Sequence, residues 1–175
     1  FHDLFDSFHG EIANLAIKYP NIKFVIKVKW EYEWIDRINE SFFKKTKKFI
    51  KDIKNLDVVC NANAHDLIFN SDLIMSFNSS TVVESIALKK PVIVPLFDEA
   101  HQLSGKLYDK HVYFKDYFDQ FYIAQSSDDL EKYLLKFLRN DLPIKKIDNK
   151  FIEYYIGKVD GKCSDRLLNF ILNNR

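Results

Sequence analysis

Apolar side chains at Phe5, Phe8, Ile12, Leu15, Ala16 and Tyr19 recur three and four residues apart, which puts them on one face of a helix that Pro20 and Asn21 stop. The next segment, Ile22 to Lys29, is rich in β-branched residues and too short for a typical helix, so it predicts a strand. Ile35, Ile38, Phe42, Phe49 and Ile53 then share one helical stripe. The alternation continues with a strand at Leu56 to Cys60, a short helix near His65 to Asn70, a strand at Leu73 to Phe77, a helix at Thr81 to Leu88 and a strand at Pro91 to Leu96. These strands are continuous apolar runs rather than in/out alternations, as expected when helices cover both faces of a parallel sheet. The pattern predicts an α/β fold: a Rossmann-like, doubly wound parallel sheet in a single domain spanning residues 1–175.

Beyond Phe97 the pattern loosens into a helix around Gln102 to Asp109 and a short strand at Phe121 to Ala124. Ser127 can cap a helix with Asp128 and Asp129 in its first turn and Leu130, Tyr133, Leu134, Phe137 and Leu138 on its apolar stripe. Pro143 to Lys150 has the composition of a linker, and Ser164 can cap a last helix whose apolar side is Leu167, Leu168, Ile171 and Leu172.

Composition narrows the classes. Hydrophobic residues make up 47% of the 175 residues and aromatics 15%, which excludes a disordered chain. A net charge of +1 gives no global field for gathering nucleic acid, so any anion site must be local. Cys60 and Cys163 form no C-x-x-C or Cys/His group, which speaks against a disulfide framework or zinc site and for a reducing cytoplasm. No apolar run approaches the roughly 20 residues of a membrane span, and no signal peptide is visible. The chain opens on Phe1 rather than Met, already in a helical pattern, and reads as a piece of a longer protein.

Candidate chemistry concentrates at Asn78-Ser79-Ser80-Thr81. In an open parallel sheet ligands bind beyond the carboxyl ends of the strands, and this loop leaves a buried strand to open the helix that carries Glu84. Small polar side chains and helix-terminal N–H groups there suit a phosphate, and a carboxylate one turn in could accept hydrogen bonds from ribose hydroxyls. The same residues equally describe an N-cap followed by an acid that favours the helix dipole.

The stretch N-S-S-T-V-V-E-S-I-A-L-K-K-P-V-I-V-P-L-F-D-E, Asn78 to Glu99, resembles the donor-site signature of glycosyltransferases of the two-Rossmann-domain (GT-B) fold, especially bacterial surface-carbohydrate enzymes. The resemblance implies the C-terminal, nucleotide-binding half of such an enzyme, with the N-terminal acceptor half and its general base outside this chain. It implies donor phosphates on Asn78, Ser79, Ser80 and Thr81, the ribose on Glu84, and the donor sugar on Asp98 and Glu99. Its implied partners are a nucleotide-sugar donor and a bacterial surface polysaccharide such as a capsule, or its lipid-linked form at the inner membrane face. The absence of any Asp-x-Asp fits a donor site without metal, and no cofactor is implied.

The same stretch is also similar to teichoic-acid polymerases that transfer polyol phosphate from a CDP-activated donor: Ser79-Ser80, Glu84 and Lys89-Lys90-Pro91 fit that motif. A binding-only or regulatory module is a third reading. Ser76 stands where many plant-type members carry a histidine, and Lys90 where a glycine precedes the Pro-Val strand, so the diphosphate lacks one expected donor. Lys27 and Lys29, at the end of the strand Phe24 to Lys29, are candidate substitutes as stabilisers of the leaving phosphate, or else solvated edge charges.

Other signals lead elsewhere. Asp98-Glu99-Ala100-His101 spells a helicase DEAH box, but no glycine lies between Gly10 and Gly105 and the upstream phosphate loop is missing. The lysines 44, 45, 47, 48, 51 and 54 suit either a solvated helix face or contact with anionic lipid. His65, at a loop-to-helix junction, is a proton carrier or an ordinary loop histidine.

Overall fold

A computed structural model describes residues 1–29, 33–98, 100 and 112–173. Helix α1 (His2–Lys18) leads to strand β1 (Phe24–Lys27), helix α2 (Glu33–Thr46), a 3-10 turn at Ile50–Asp52 and β2 (Leu56–Val59). Then come α3 (Ala64–Asn70), β3 (Ile74–Met75), α4 (Ser80–Ala87) and β4 (Val92–Pro95). A 3-10 segment at Lys115–Gln120 precedes β5 (Tyr122–Ala124), and α5 (Ser127–Leu138), α6 (Asn149–Tyr155) and α7 (Cys163–Asn173) follow.

The strands form two short parallel ladders, β1-β2 and β3-β4-β5, with Phe24 opposite Leu56 in the first and Ile93 opposite Tyr122 in the second. All four residues of β4 are buried, and its neighbours divide between two cores. Ile93 packs with Leu15, Phe24, Phe42, Leu56 and Leu130, the layer that α1, α2 and α5 cover. Val92 and Val94 pack with Val82, Ile86, Phe121 and Phe151, the layer of α4 and α6. Successive strand residues point to opposite faces, so a strand apolar at every position needs a helical layer on each side, and here it has both.

Close approach fixes the first layer. A Cβ on Gly10 would lie 3.0 Å from Lys45 Cβ and 3.2 Å from the Ser41 carbonyl oxygen, so α1 and α2 meet at a distance only glycine allows without a shift. Across the same contact the Arg37 guanidinium donates to Asp6 and lies 4.7 Å from the centre of the Phe5 ring, while Ser41 Oγ also donates to Asp6. Asn55 Nδ2 reaches the carbonyls of Ala16, Tyr19 and Ile22 at 2.9, 3.1 and 2.7 Å. One amide thereby takes up acceptors at the end of α1 and sets the entry to β2.

The structure corrects the sequence expectations in several places. The stripe from Ile35 to Ile53 is not one helix: α2 ends at Thr46, Lys47 turns left-handed at φ 59°, and the 3-10 turn carries Ile50. The cap of α5 is Ser126, not Ser127; its Oγ accepts from the Asp129 N–H, and the Asp129 carboxylate accepts from Gln125 N–H. The linker-like stretch Pro143 to Lys150 runs into α6, capped by Asp148 and anchored by the fully buried Phe151. Ser164 lies inside α7, and the apolar side of that helix is exposed, with no buried residue along it. The expected helix around Gln102 to Asp109 lies outside the described residues.

Candidate functional site

The loop after β3 forms because the chain must reverse from a strand into α4 within a few residues. Asn78 takes a left-handed φ of 47°, a conformation that asparagine tolerates better than most side chains, and its Oδ1 accepts from the Tyr113 N–H at 2.9 Å. Ser79 is the N-cap: its Oγ accepts from the Thr81 N–H at 3.3 Å and donates to Thr81 Oγ1 at 3.0 Å. The capping role and the candidate phosphate role therefore fall on the same hydroxyl, and a phosphate at this helix start competes with Ser79 for the Thr81 amide. Ser80, the first helical residue, is exposed. Val82 and Ile86 bury the opposite face of α4, Ser85 satisfies its buried hydroxyl on the Thr81 carbonyl, and Val83, though buried, borders the same side as Ser80 and Glu84. This packing fixes Ser80 and Glu84 on the side away from the core.

Ser80 and Glu84 face a cavity of about 650 Å3, well within the size of small-molecule sites. Its other walls come from Val112 to Asp116 and from Tyr155 and Ile156 at the end of α6. The Glu84 side chain keeps 28% exposure, and its Oε2 lies 3.5 Å from His65 Nε2, so His65 adds a positive neighbour to the carboxylate whenever it is protonated. Among the described residues Lys115 is the cation that lines the cavity, with Nζ 2.9 Å from Asp116 Oδ1. Burial, then the neighbouring Tyr117, Tyr154 and Asp116, push the Tyr155 phenol up against the opposing effect of Lys115, so at neutral pH it stays protonated and can donate.

An aromatic cluster holds the far wall. The Tyr155 ring lies 5.0 Å from Phe114, 5.9 Å from Tyr117 and 5.0 Å from Phe151, in edge-on or tilted contacts. Phe114 has a left-handed φ of 61°, unusual for a bulky residue, and is held there between Phe121, Phe151 and Tyr155. Gln120 fixes the start of α6 by accepting from the Asp148 N–H at 2.7 Å. Segment 112–116 and α6 were invisible to the sequence reading. Their one signal is the density of aromatics in VYFKDYFDQFY, Val112 to Tyr122, and FIEYY, Phe151 to Tyr155, without helical or strand periodicity.

Of the residues singled out in the sequence, Ser80 and Glu84 line the cavity directly. Asn78 is tied to its wall through Tyr113, and Ser79 and Thr81 are joined to each other at the helix start. Asp98 lies three residues past β4 at a left-handed φ of 50°, and its Oδ2 is buried without a hydrogen-bond partner among the described residues. Glu99 lies outside the described residues. Lys27 and Lys29 are exposed and do not line the cavity, and the Lys27 ammonium donates to the Val28 carbonyl at 3.3 Å. Among the described residues no helix is long and apolar enough to cross a membrane. No family model, curated protein or solved structure matches this chain.

Proposed function

We propose that this chain is the donor-binding, Rossmann-like half of a GT-B glycosyltransferase that moves a sugar from a nucleotide-activated donor to a bacterial surface polysaccharide or its lipid-linked form. The observation that carries the reading is that Glu84 and Ser80, the two motif residues free of capping duty, face one cavity with an aromatic wall and a cation. A nucleoside phosphate has a matching pattern: a flat base, two vicinal hydroxyls and an anionic end. Tyr113, Phe114 and Tyr155 offer ring surface to the base, and the Glu84 carboxylate accepts from the ribose hydroxyls. Ser80 and the start of α4 meet the phosphate. Lys115, which lines the cavity where Lys27 and Lys29 do not, is assigned to the same phosphate.

When the bond from the sugar to phosphate breaks, negative charge grows on the departing phosphate. Fixed N–H groups, a hydroxyl and an ammonium already in place stabilise that charge without having to reorganise. Asp98 and Glu99, after β4, are assigned to the donor sugar, and the base that activates the acceptor is assigned to the acceptor half.

Calorimetry with free nucleotides tests the reading. UDP or CMP should bind in the micromolar to millimolar range, about −8 to −4 kcal/mol, and Lys115→Ala should weaken a diphosphate more than the parent nucleoside. Absence of heat with every nucleoside mono- and diphosphate at millimolar ligand would remove the donor-binding role. Preference for a CDP-polyol over nucleotide sugars would move the assignment to polyol-phosphate transfer.

A further inference from the structure

We propose that residues 43–54, at the end of α2 and in the turn that follows, seat the protein on the surface of an anionic lipid bilayer. This surface is separate from the cavity, none of whose lining residues it shares, and the inference does not rest on the nucleotide assignment. Two large apolar rings stand in water here: Phe43 is 43% exposed and Phe49 41% exposed, and they stack on each other with centroids 4.9 Å apart and an interplanar angle of 15°. Around them the chain places six lysines, at 44, 45, 47, 48, 51 and 54, and a single acid, Asp52. Lys44 and Lys45 pair with Asp6 and Glu11 of α1 at 3.6 and 3.1 Å. Lys47, Lys48, Lys51 and Lys54 are exposed and carry no ion pair among the described residues.

The patch is built rather than loose. Thr46 Oγ1 donates to the Phe42 carbonyl and accepts from the Lys48 N–H, and the Lys47 N–H donates to the Phe43 carbonyl as that residue turns left-handed. The chain then returns so that Phe49 lies on Phe43. The Asp52 carboxylate accepts from the Phe49 N–H at 2.9 Å, and Asn39 Oδ1 accepts from the Ile50 N–H at 3.0 Å. The single acid is thus committed to the turn, and the local surplus of positive charge faces outward.

Lysines around exposed aromatic rings form the arrangement that enters a bilayer interface: rings at the headgroup and acyl boundary, ammonium groups on anionic headgroups. Nucleic acid is the competing polyanion, but single-stranded binding uses open ring faces on which bases stack. Here each ring gives a face to the other, and Lys47 Nζ lies 5.5 Å over Phe43.

Vesicle co-sedimentation tests this. At about 0.1 M salt the protein should bind vesicles containing about 30% phosphatidylglycerol and not neutral phosphatidylcholine ones, and high salt should release it. Reversal of the four unpaired lysines (K47E, K48E, K51E, K54E) should bring binding to background, since each exposed lysine contributes roughly fivefold. Phe43→Ser with Phe49→Ser should lower binding at least about tenfold, with all the lysines still in place. Both variants should keep the parent's circular dichroism and nucleotide binding, which separates failure of this surface from failure of the cavity assignment. The proposal falls if neutral and anionic vesicles bind alike, if neither binds, if the charge reversal leaves binding intact, or if duplex DNA at the same salt outcompetes the vesicles.

Discussion

Glu84 is the fifth residue of α4, past its first turn, where the helix dipole has faded, and its side chain faces the cavity beside His65. Nucleotide affinity, rather than stability, is therefore the readout of its role. If the carboxylate grips ribose hydroxyls, the substitution costs roughly 1.5–3 kcal/mol of nucleotide affinity. A dideoxyribose nucleotide should then bind the parent poorly and lose little more on Glu84→Ala, because both changes delete one interaction. Titration calorimetry over that four-corner cycle decides it: if the two losses add, Glu84 has no part in sugar recognition. The position of this residue, one turn into a helix that opens after a strand, was legible in the sequence. The sequence also offered an N-cap among Ser79, Ser80 and Thr81, which falls on Ser79; that Asn78 spends its side-chain carbonyl on Tyr113 was not legible, because that partner comes from a stretch without periodicity.

Among the helices, α6 and α7 teach opposite lessons. Both are short and lie near the end of the chain, yet α6 is pinned by Phe151, fully buried against Val82, Val94 and Phe121, while α7 buries nothing. Phe151→Ala should destabilise by about 3–5 kcal/mol and, by releasing Tyr155 and Ile156, abolish nucleotide binding. Leu168→Ser in α7 should leave the melting temperature within experimental scatter, and thermal melts of the two variants provide the check. An equal loss from both would mean that α7 packs in solution as the apolar stripe predicts. Periodicity identified α7 correctly as a helix but shows only which face is apolar, not whether anything covers it. It missed α6 because seven residues behind a polar, proline-led stretch are too few to display a period. It fused α2 with the turn beyond it because Phe49 and Ile53 continue the stripe after the backbone has already turned at Lys47.

Strand β4 was the most legible part of the fold, since burial on both faces forces the continuous apolar run VIVP, whereas β1 leaves Val25 and Lys27 exposed and β3 is only two half-buried residues. On α1, His9 is half-buried; its Nδ1 contacts the Phe5 carbonyl at 2.7 Å and its ring packs on Phe5 and Phe8. Burial holds its imidazole down to about 4, from an ordinary 6.5, against the Phe5 carbonyl and Asp6, which favour the proton, and with Arg37 adding to the lowering. Between those values the unfolded chain binds a proton that the folded one refuses. Stability is thus fully present above about 6.5 and falls as pH is lowered toward about 4, by at most about 3 kcal/mol from this residue. Glu131, held below the usual carboxylate range by hydrogen bonds from Lys18 and Tyr19, acts at still lower pH. Urea midpoints measured across the window should slope for the parent and flatten for His9→Gln; parallel curves would assign the acid sensitivity to other groups.

Each ladder joins strands that follow one another in the chain: β1 with β2, β3 with β4, β4 with β5. A ribosome therefore delivers the strands in pairing order, and the first ladder can close before β3 has been synthesised. Covering it is another matter, because the layer that buries Phe24 and Leu56 also contains Ile93, Ala124, Leu130 and Leu134, from the second half of the chain. Hydrogen bonding runs ahead of burial during synthesis, and a nascent chain halted between β4 and α5 carries paired strands with a bare apolar face. Such surface is what aggregates or recruits a chaperone, so rare codons or truncations in that interval should be more damaging in the cell than the same changes after α5.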